Sequence, residues 1–111
     1  VISMEHAASW LPSWMHQLDF TAKLYKRIRK FEEAPSVTAK RHLKVSPFAG
    51  EPVGWVIDNV GEDMLVFASD YPHPEGTSDP IAKFERTMSN CNQATMDKFY
   101  FGNMLNVMGL S

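Results

Sequence analysis

The run from Met64 to Ala68, MLVFA, constrains the fold more than any other part of the sequence. Five consecutive apolar residues are typical of a strand buried on both faces, and such strands occur mostly in parallel sheets covered by helices. The run is followed at once by SDYPHPEG, a segment rich in turn-forming residues. We therefore expect a buried strand whose carboxyl end opens into a loop over residues 70–78.

Segments with helical spacing alternate with short apolar segments along the rest of the chain. The pattern predicts a strand at 1–5, an amphipathic helix from residues 9–13 to about Phe31, and a connection over 35–46 that contains a short strand at 43–45. It then predicts a helix at 52–60 that ends at Gly61, a helix that begins at Asp79–Pro80, and a final helical region that begins at 92–95, is interrupted at 102–103 and ends at Gly109. This order favours an α/β fold with three parallel strands.

Composition narrows the class of protein. The chain has 111 residues, enough for one small domain, and 44% of them are apolar, which suffices for a hydrophobic core. A net charge of −2 argues against partners such as nucleic acid or a membrane surface. The apolar runs are too short to span a bilayer, and no signal peptide is visible. The single cysteine, Cys91, excludes an internal disulfide and favours a cytoplasmic protein.

The chain starts within an apolar segment, VISM. We expect it to begin inside a strand, either after processing or as a piece of a longer protein.

Three places follow the carboxyl ends of predicted strands, where parallel α/β folds gather reactive groups: Glu5–His6, the loop at 46–51, and the loop at 69–73. Asp70 is the most informative residue of these. A carboxylate directly after a buried strand needs a partner such as a metal ion or a protonated base. The alternative is that Asp70 only caps a turn, a common position for aspartate.

Three further residues carry two interpretations each. His6 follows an apolar run and is a candidate acid or base, or else an ordinary structural histidine. His73 lies between two prolines and is either a substrate-binding or ligand residue, or a partly exposed structural one. Trp10 either lines a substrate pocket or belongs to the core.

Several compact catalytic motifs are missing from the sequence. It contains no H-x-H or H-E-x-x-H zinc motif, no G-x-S-x-G nucleophile motif and no glycine-rich phosphate loop. Cys91 lies in a Ser/Asn-rich junction and is expected to be inert.

Three segments together resemble a known family: SMEHAASWLPSWMHQLD, MLVFASDYPHPEG and GNMLNVMGL. They are similar to the C-terminal part of the amidohydrolase-related family, the aminocarboxymuconate-semialdehyde decarboxylase-like branch of the metal-dependent amidohydrolase superfamily. The S-D-Y-P-H segment is the most specific match.

The resemblance implies a partial (β/α)₈ barrel, with residues 1–111 forming strands six to eight and their helices as a single partial domain. It implies that Asp70 binds a catalytic divalent metal, usually zinc, and that His6 acts as acid or base. The implied reaction is hydrolysis or nonoxidative decarboxylation by metal-activated water, on a small molecule such as an aromatic or unsaturated acid.

The sequence departs from the family in lacking the H-x-H pair and the further histidine ligand, so this chain does not complete a three-ligand zinc site. Two hypotheses follow. The first is a C-terminal segment of a metal-dependent hydrolase or decarboxylase. The second is a short noncatalytic α/β module for oligomerisation or ligand binding. In both cases we expect an exposed apolar surface and either homo-oligomers or association with the missing part of the barrel.

Overall fold

The computed structural model describes residues 1–74 and 76–110 of the chain, so Glu75 of the predicted active-site loop and the terminal Ser111 lie outside the described residues. Two strands and six α-helices are present in the described part: β1 (Ile2–Ser3), α1 (Leu11–Leu24), α2 (Pro35–His42), β2 (Lys44–Val45), α3 (Val53–Val60), α4 (Pro80–Thr87), α5 (Gln93–Asp97) and α6 (Asn103–Val107). A π-helical turn, Lys98–Gly102, joins α5 to α6.

The extended segments run parallel. Strand β1 pairs with β2, with Ile2 opposite Lys44 and Ser3 opposite Val45. A single parallel bridge then joins Val45 to Leu65. Three parallel segments therefore lie side by side, and their carboxyl ends meet at one edge of the sheet, here called the carboxyl edge.

The predicted strand Met64–Ala68 is wrong in its extent, and its predicted burial is confirmed for the first three of its residues. Val45 donates its N–H to the Met64 carbonyl at 2.8 Å and accepts from the Val66 N–H at 3.0 Å. The next N–H on the β2 side would come from residue 47, which is a proline and has none; the Phe67 N–H points away from β2 and bonds to the Phe99 carbonyl at 3.0 Å. The ladder consequently stops after one bridge, although Met64, Leu65 and Val66 are all buried.

Helix α1 ends at Leu24, seven residues before the predicted end at Phe31. Beyond it the chain makes only one further turn, in which the Ile28 N–H bonds to the Tyr25 carbonyl at 2.9 Å. Ile28 is 82% exposed, so the apolar stripe that stabilises a helix through packing has no surface to pack on. Repulsion among the basic side chains of residues 23–30 opposes the helix as well.

Helix α2 occupies part of the segment that was predicted to be a connection. Pro35 supplies the first helical position, where its missing N–H costs nothing. The Asp19 carboxylate of α1 accepts from the Ser36 N–H at 2.9 Å and from the Ser36 hydroxyl at 2.6 Å. A cap supplied from another helix therefore stabilises a segment whose own sequence shows little helical signal.

The strand predicted at 1–5 is reduced to Ile2–Ser3, whereas the helix boundaries predicted at Gly61, Asp79, 92–95 and Gly109 are confirmed. Helix α3 ends at Gly61, whose φ of +94° suits a glycine. The Asp79 side chain caps α4, and the Asn92 side chain accepts from the Thr95 N–H at 2.9 Å. Gly109, with φ +71°, follows the last helix. The interruption predicted at 102–103 is wrong, because Gly102 and Asn103 both have helical backbones and the π-helical turn Lys98–Gly102 continues directly into α6.

The core joins the helices to the extended run. Its buried apolar residues are Ala8, Leu11, Met15, Val45, Val53, Val56, Ile57, Val60, Met64, Leu65, Phe84, Met88 and Phe99. The Phe84 and Phe99 rings meet edge to face with centroids 5.1 Å apart, and Phe67 lies 5.6 Å from Phe84. The buried Asn103 side chain donates to the carbonyls of Glu62 and Leu65 at 2.8 Å each. The C-terminal helices thus hold the run that leads to Asp70.

Four of the exposed large apolar side chains, those of Trp14, Tyr25, Ile28 and Phe31, lie on α1 and the segment that follows it. They border an open groove of about 370 Å³ lined by Trp14, Gln17, Leu18, Thr21, Ala22, Tyr25, Ile28, Arg29, Phe31 and Pro35. The exposed apolar surface was expected, whereas self-association stays a prediction. Within residues 1–74 and 76–110, we find no helix long and apolar enough to cross a membrane.

Candidate functional site

The three loops singled out in the sequence all leave the carboxyl edge. The first contains His6 after β1, the second contains Glu51 after β2, and the third contains Asp70 after the buried run. Parallel pairing brings these strand ends together, which is where α/β folds place their reactive side chains.

Asp70 carries the clearest sign of a ligand. Its backbone is left-handed, with φ +53°, a conformation that aspartate adopts more readily than most residues. Its Oδ2 atom is fully buried and has no hydrogen-bond partner among the described residues. A buried carboxylate oxygen without a donor is costly, and a bound cation would remove that cost. The Oδ2 atom of Asp70 is therefore suited to serve as a ligand of a divalent metal ion.

A tight loop orients Asp70. The Asp70 carbonyl accepts from the His73 N–H at 2.9 Å, and the His73 carbonyl accepts from the Gly76 N–H at 2.9 Å. The Tyr71–Pro72 peptide bond within this loop is cis. A Cβ atom on Gly76 would lie 2.3 Å from the Asp70 carbonyl oxygen. Only glycine therefore fits at position 76 of this loop, and the sequence analysis did not predict this.

His73 contacts Asp70 within this loop only through a backbone hydrogen bond. Its ring is exposed, and it makes no side-chain hydrogen bond to the described residues. Its role in substrate binding stays a prediction. An open cavity of about 390 Å³ is lined by Ser69, Tyr71, Thr77, Ser78 and Pro80, and neither His73 nor Asp70 is among its lining residues.

His6 is exposed at the end of β1, and its Nδ1 lies 3.0 Å from the Ser3 hydroxyl. Its Nε2 has no hydrogen-bond partner in the part of the chain that the structure describes. Its neighbours Glu5 and Ala7 both have left-handed backbones, with φ +62° and +61°. Such conformations cost about 1–2 kcal/mol each for residues with a Cβ, and they persist only where the surroundings impose them.

Trp10 fixes the backbone next to His6. Its indole N–H lies 2.9 Å from both the His6 and the Ala7 carbonyl oxygens. Its half-buried ring packs against the core and meets Trp14 edge to face at 5.7 Å. Trp10 therefore lies at the edge of the core, and its contact with substrate stays a prediction.

Glu51 is the main residue that the sequence reading missed. Its Oε1 accepts from the Ala8 N–H, the Ser9 N–H and the Ser9 hydroxyl at 3.0, 3.0 and 2.7 Å. Its Oε2 accepts from the Phe48 N–H at 2.7 Å and from the Ala8 N–H at 3.1 Å. No local pattern indicates the bonds from Ala8 and Ser9, since these donors lie more than forty positions from Glu51 in sequence.

The site residues are not joined directly to one another. No hydrogen bond links Asp70 to His6 among the residues described. The same residues contain no group of three or more His, Cys, Asp or Glu side chains placed to hold a metal ion. Zinc enzymes typically use three protein ligands, so Asp70 supplies one ligand of such a set.

Cys91 takes no part in this arrangement. Burial is the main cause that raises the pKa of its thiol, and the carboxylates of Asp58 and Glu62 add to the effect. A thiol with a raised pKa is a poor nucleophile at neutral pH. This agrees with the expectation that Cys91 is inert.

Two solved structures share this fold. An amidohydrolase from Mycobacterium avium subsp. paratuberculosis K-10 matches 97% of the chain with a TM-score of 0.82 and 21% identity. The 5-carboxyvanillate decarboxylase from Sphingomonas paucimobilis matches 99% of it with a TM-score of 0.67 and 17% identity. The chain spans only 27% and 33% of their lengths. No protein-family model matches the sequence.

Both neighbours are members of the amidohydrolase superfamily, so the structures found are those that the sequence resemblance pointed to. At these identities the likeness shows the fold. The chain has the fold of part of an α/β barrel, which confirms the predicted fold class.

Proposed function

We propose that this chain is strands six to eight, with their helices, of a metal-dependent hydrolase or nonoxidative decarboxylase of the amidohydrolase superfamily. The likeness in fold to an amidohydrolase and to a decarboxylase supports this reading. So does the match of S-D-Y-P-H to the family motif. The remaining metal ligands then come from parts of the barrel outside the described residues.

The unpartnered Oδ2 of Asp70 is the observation that carries the proposal. A carboxylate that only capped a turn would accept a backbone N–H through its side chain, as Asp79 does from Ala82 at 3.4 Å. Asp70 instead uses its backbone carbonyl for the turn and leaves the side-chain oxygen unused. A divalent cation, zinc in our proposal, accepts such a carboxylate oxygen as a ligand.

A metal ion bound there would supply a water of lowered pKa and polarise the substrate. Asp70 would hold the ion through Oδ2 and accept a proton from the attacking water. His6 would donate or accept a proton through Nε2, because Nδ1 is engaged with Ser3. Trp10 and His73 would border the substrate, a small aromatic or unsaturated acid.

Metal content is the first test. In the whole protein, Asp70→Asn should lower the bound divalent metal, measured by elemental mass spectrometry, and reduce activity by orders of magnitude while the circular dichroism spectrum stays unchanged. Asp58→Asn is the matched control, since Asp58 is an exposed aspartate on α3, and it should keep both metal and activity. Near-normal turnover of Asp70→Asn would refute the role of Asp70.

A second test separates the two hypotheses. The protein should release carbon dioxide from, or hydrolyse, members of a panel of aromatic and unsaturated carboxylates. A purified polypeptide of 12.6 kDa that binds no metal and still forms a defined oligomer would instead establish the noncatalytic module.

A further inference from the structure

Glu51 lies in the loop after β2 and binds the neighbouring loop that carries His6. Four donors surround its carboxylate, namely the N–H groups of Ala8, Ser9 and Phe48 and the Ser9 hydroxyl. Both carboxylate oxygens are used, and no cation pairs with Glu51 in the part of the chain that the structure describes. Glu51 is therefore an acceptor of backbone hydrogens between two loops, and it has no free oxygen for a metal or a substrate.

The segment that Glu51 binds, ahead of α1, has no side-chain cap of its own. Helix α1 begins at Leu11, and its preceding residue, Trp10, makes no side-chain cap. The N–H groups of Ala8 and Ser9, in the turn before α1, are satisfied by Glu51 across the carboxyl edge. His6 lies between two residues in left-handed conformation, so its backbone depends on restraints from outside the segment.

We propose that Glu51 is a positioning residue that fixes the His6 imidazole at the carboxyl edge. The inference rests on the proposed function, since it takes His6 as the acid or base. Trp10 restrains the His6 and Ala7 carbonyls, and Ser3 holds the ring at Nδ1. Glu51 completes the set by holding the N–H groups of the next two residues. The free Nε2 is then presented in one orientation, which proton transfer requires.

The substitution Glu51→Gln tests this in the whole protein, because it keeps the shape of the side chain and replaces one accepting oxygen by an amide donor. The amide would face an N–H group on either side, so the loop should lose its fixed geometry. We expect kcat to fall tenfold to a hundredfold, KM to change less than threefold, and the metal content to stay the same. Glu33→Gln, an identical change at an exposed glutamate before α2, should leave kcat unchanged.

A double-mutant cycle distinguishes positioning from a merely structural role. If Glu51 acts through His6, Glu51→Gln should change kcat less than twofold in a His6→Ala background. Losses that multiply, or a wild-type kcat for Glu51→Gln, would overturn the inference. A His6→Ala variant with full activity would instead overturn the role of His6 in the proposed function.

A second measurement does not depend on the residual activity of the Glu51→Gln variant. In protein labelled with ¹³C at histidine Cε1, the His6 signal should shift or broaden in Glu51→Gln, while the signal of His42, at the end of α2, should not move. An unchanged His6 signal would show that Glu51 does not position the ring, even if the enzyme mechanism stands.

Discussion

Glu51 holds Ser9 through one carboxylate oxygen, Oε1, which accepts from the Ser9 N–H at 3.0 Å and from the Ser9 hydroxyl at 2.7 Å. The two residues lie 42 positions apart in sequence and in the loops after two neighbouring strands. The start of helix α1 is therefore stabilised by a side chain from outside the helix.

This relationship predicts the effect of Ser9→Ala. The change removes the hydroxyl bond and leaves the backbone bond, so the free energy of unfolding should fall by about 1 kcal/mol. Ser13→Ala, at an exposed serine within α1, is the control and should stay within about 0.5 kcal/mol of wild type. Chemical denaturation of the whole protein measures both, and equal stability of the two variants would contradict the prediction.

Two glycines should respond to alanine in opposite directions. A Cβ on Gly54 would lie 2.0 Å from the Asn90 Oδ1 and 2.6 Å from the Thr87 carbonyl oxygen, where α3 packs against α4. The Thr87 carbonyl is backbone and cannot move aside freely, so Gly54→Ala should destabilise the protein by about 2 kcal/mol.

Gly102 is the matched case. Its Cβ would find its nearest atom at 3.5 Å, an ordinary contact, and its φ of −60° suits alanine. Gly102→Ala should therefore raise the stability by about 0.5–1 kcal/mol through the reduced entropy of the unfolded chain. Thermal and chemical unfolding curves of the two variants should move to opposite sides of wild type, and a shared direction would refute the packing account.

Asn103 should be sensitive to an apolar replacement of similar size. Its buried amide donates to the Glu62 and Leu65 carbonyls, so Asn103→Leu leaves both carbonyl oxygens without that partner. We expect a loss of about 2–4 kcal/mol, measured by denaturant titration. Asn106→Leu, at an exposed position of the same helix, should have little effect. Similar losses for both would contradict the role of the two hydrogen bonds, because Asn106 is exposed.

The ion pair between Glu33, which precedes α2, and Arg41, in the last turn of α2, predicts a pH dependence. Hydrogen bonding from Arg41, followed by that from Thr38, lowers the pKa of Glu33 to about 2 from 4.5. Because the folded pKa is depressed, the stabilisation is complete above the unfolded pKa of 4.5 and is lost as the pH falls toward 2.

An NMR titration of the Glu33 side-chain carbonyl carbon measures this midpoint. Arg41→Gln should return it toward 4.5 more than Thr38→Val does, since Arg41 is the larger cause. High salt should also raise it, because the pair is exposed. A midpoint near 4.5 in wild-type protein would show that the ion pair does not form in solution.

The hydrogen bonds of Asp19 and Glu51 explain why parts of the fold could not be predicted from the sequence. Asp79 and Asn92 cap helices from within three residues, so a local pattern shows them. Asp19 caps α2 from 17 positions away, and the segment was accordingly predicted as a connection. A pattern search detects partners that are close in sequence, and it has no access to donors and acceptors that only the fold brings together.

The candidate site was likewise predicted only in part from the sequence. The apolar run before Asp70 and the S-D-Y-P-H segment pointed to a carboxylate at the end of a buried segment. They did not reveal that Oδ2 is left without a donor, that Gly76 closes the loop, or that Glu51 binds the loop of His6.

The sequence by itself determined the parallel α/β class, the burial of Met64 to Val66 and most helix boundaries, because apolar periodicity, prolines and local caps act over a few residues. The tertiary structure decided where α1 ends, that residues 35–42 form a helix, and which atoms of the carboxyl edge are satisfied. These outcomes depend on packing partners and hydrogen-bond acceptors from distant segments, whose positions exist only once the chain is folded.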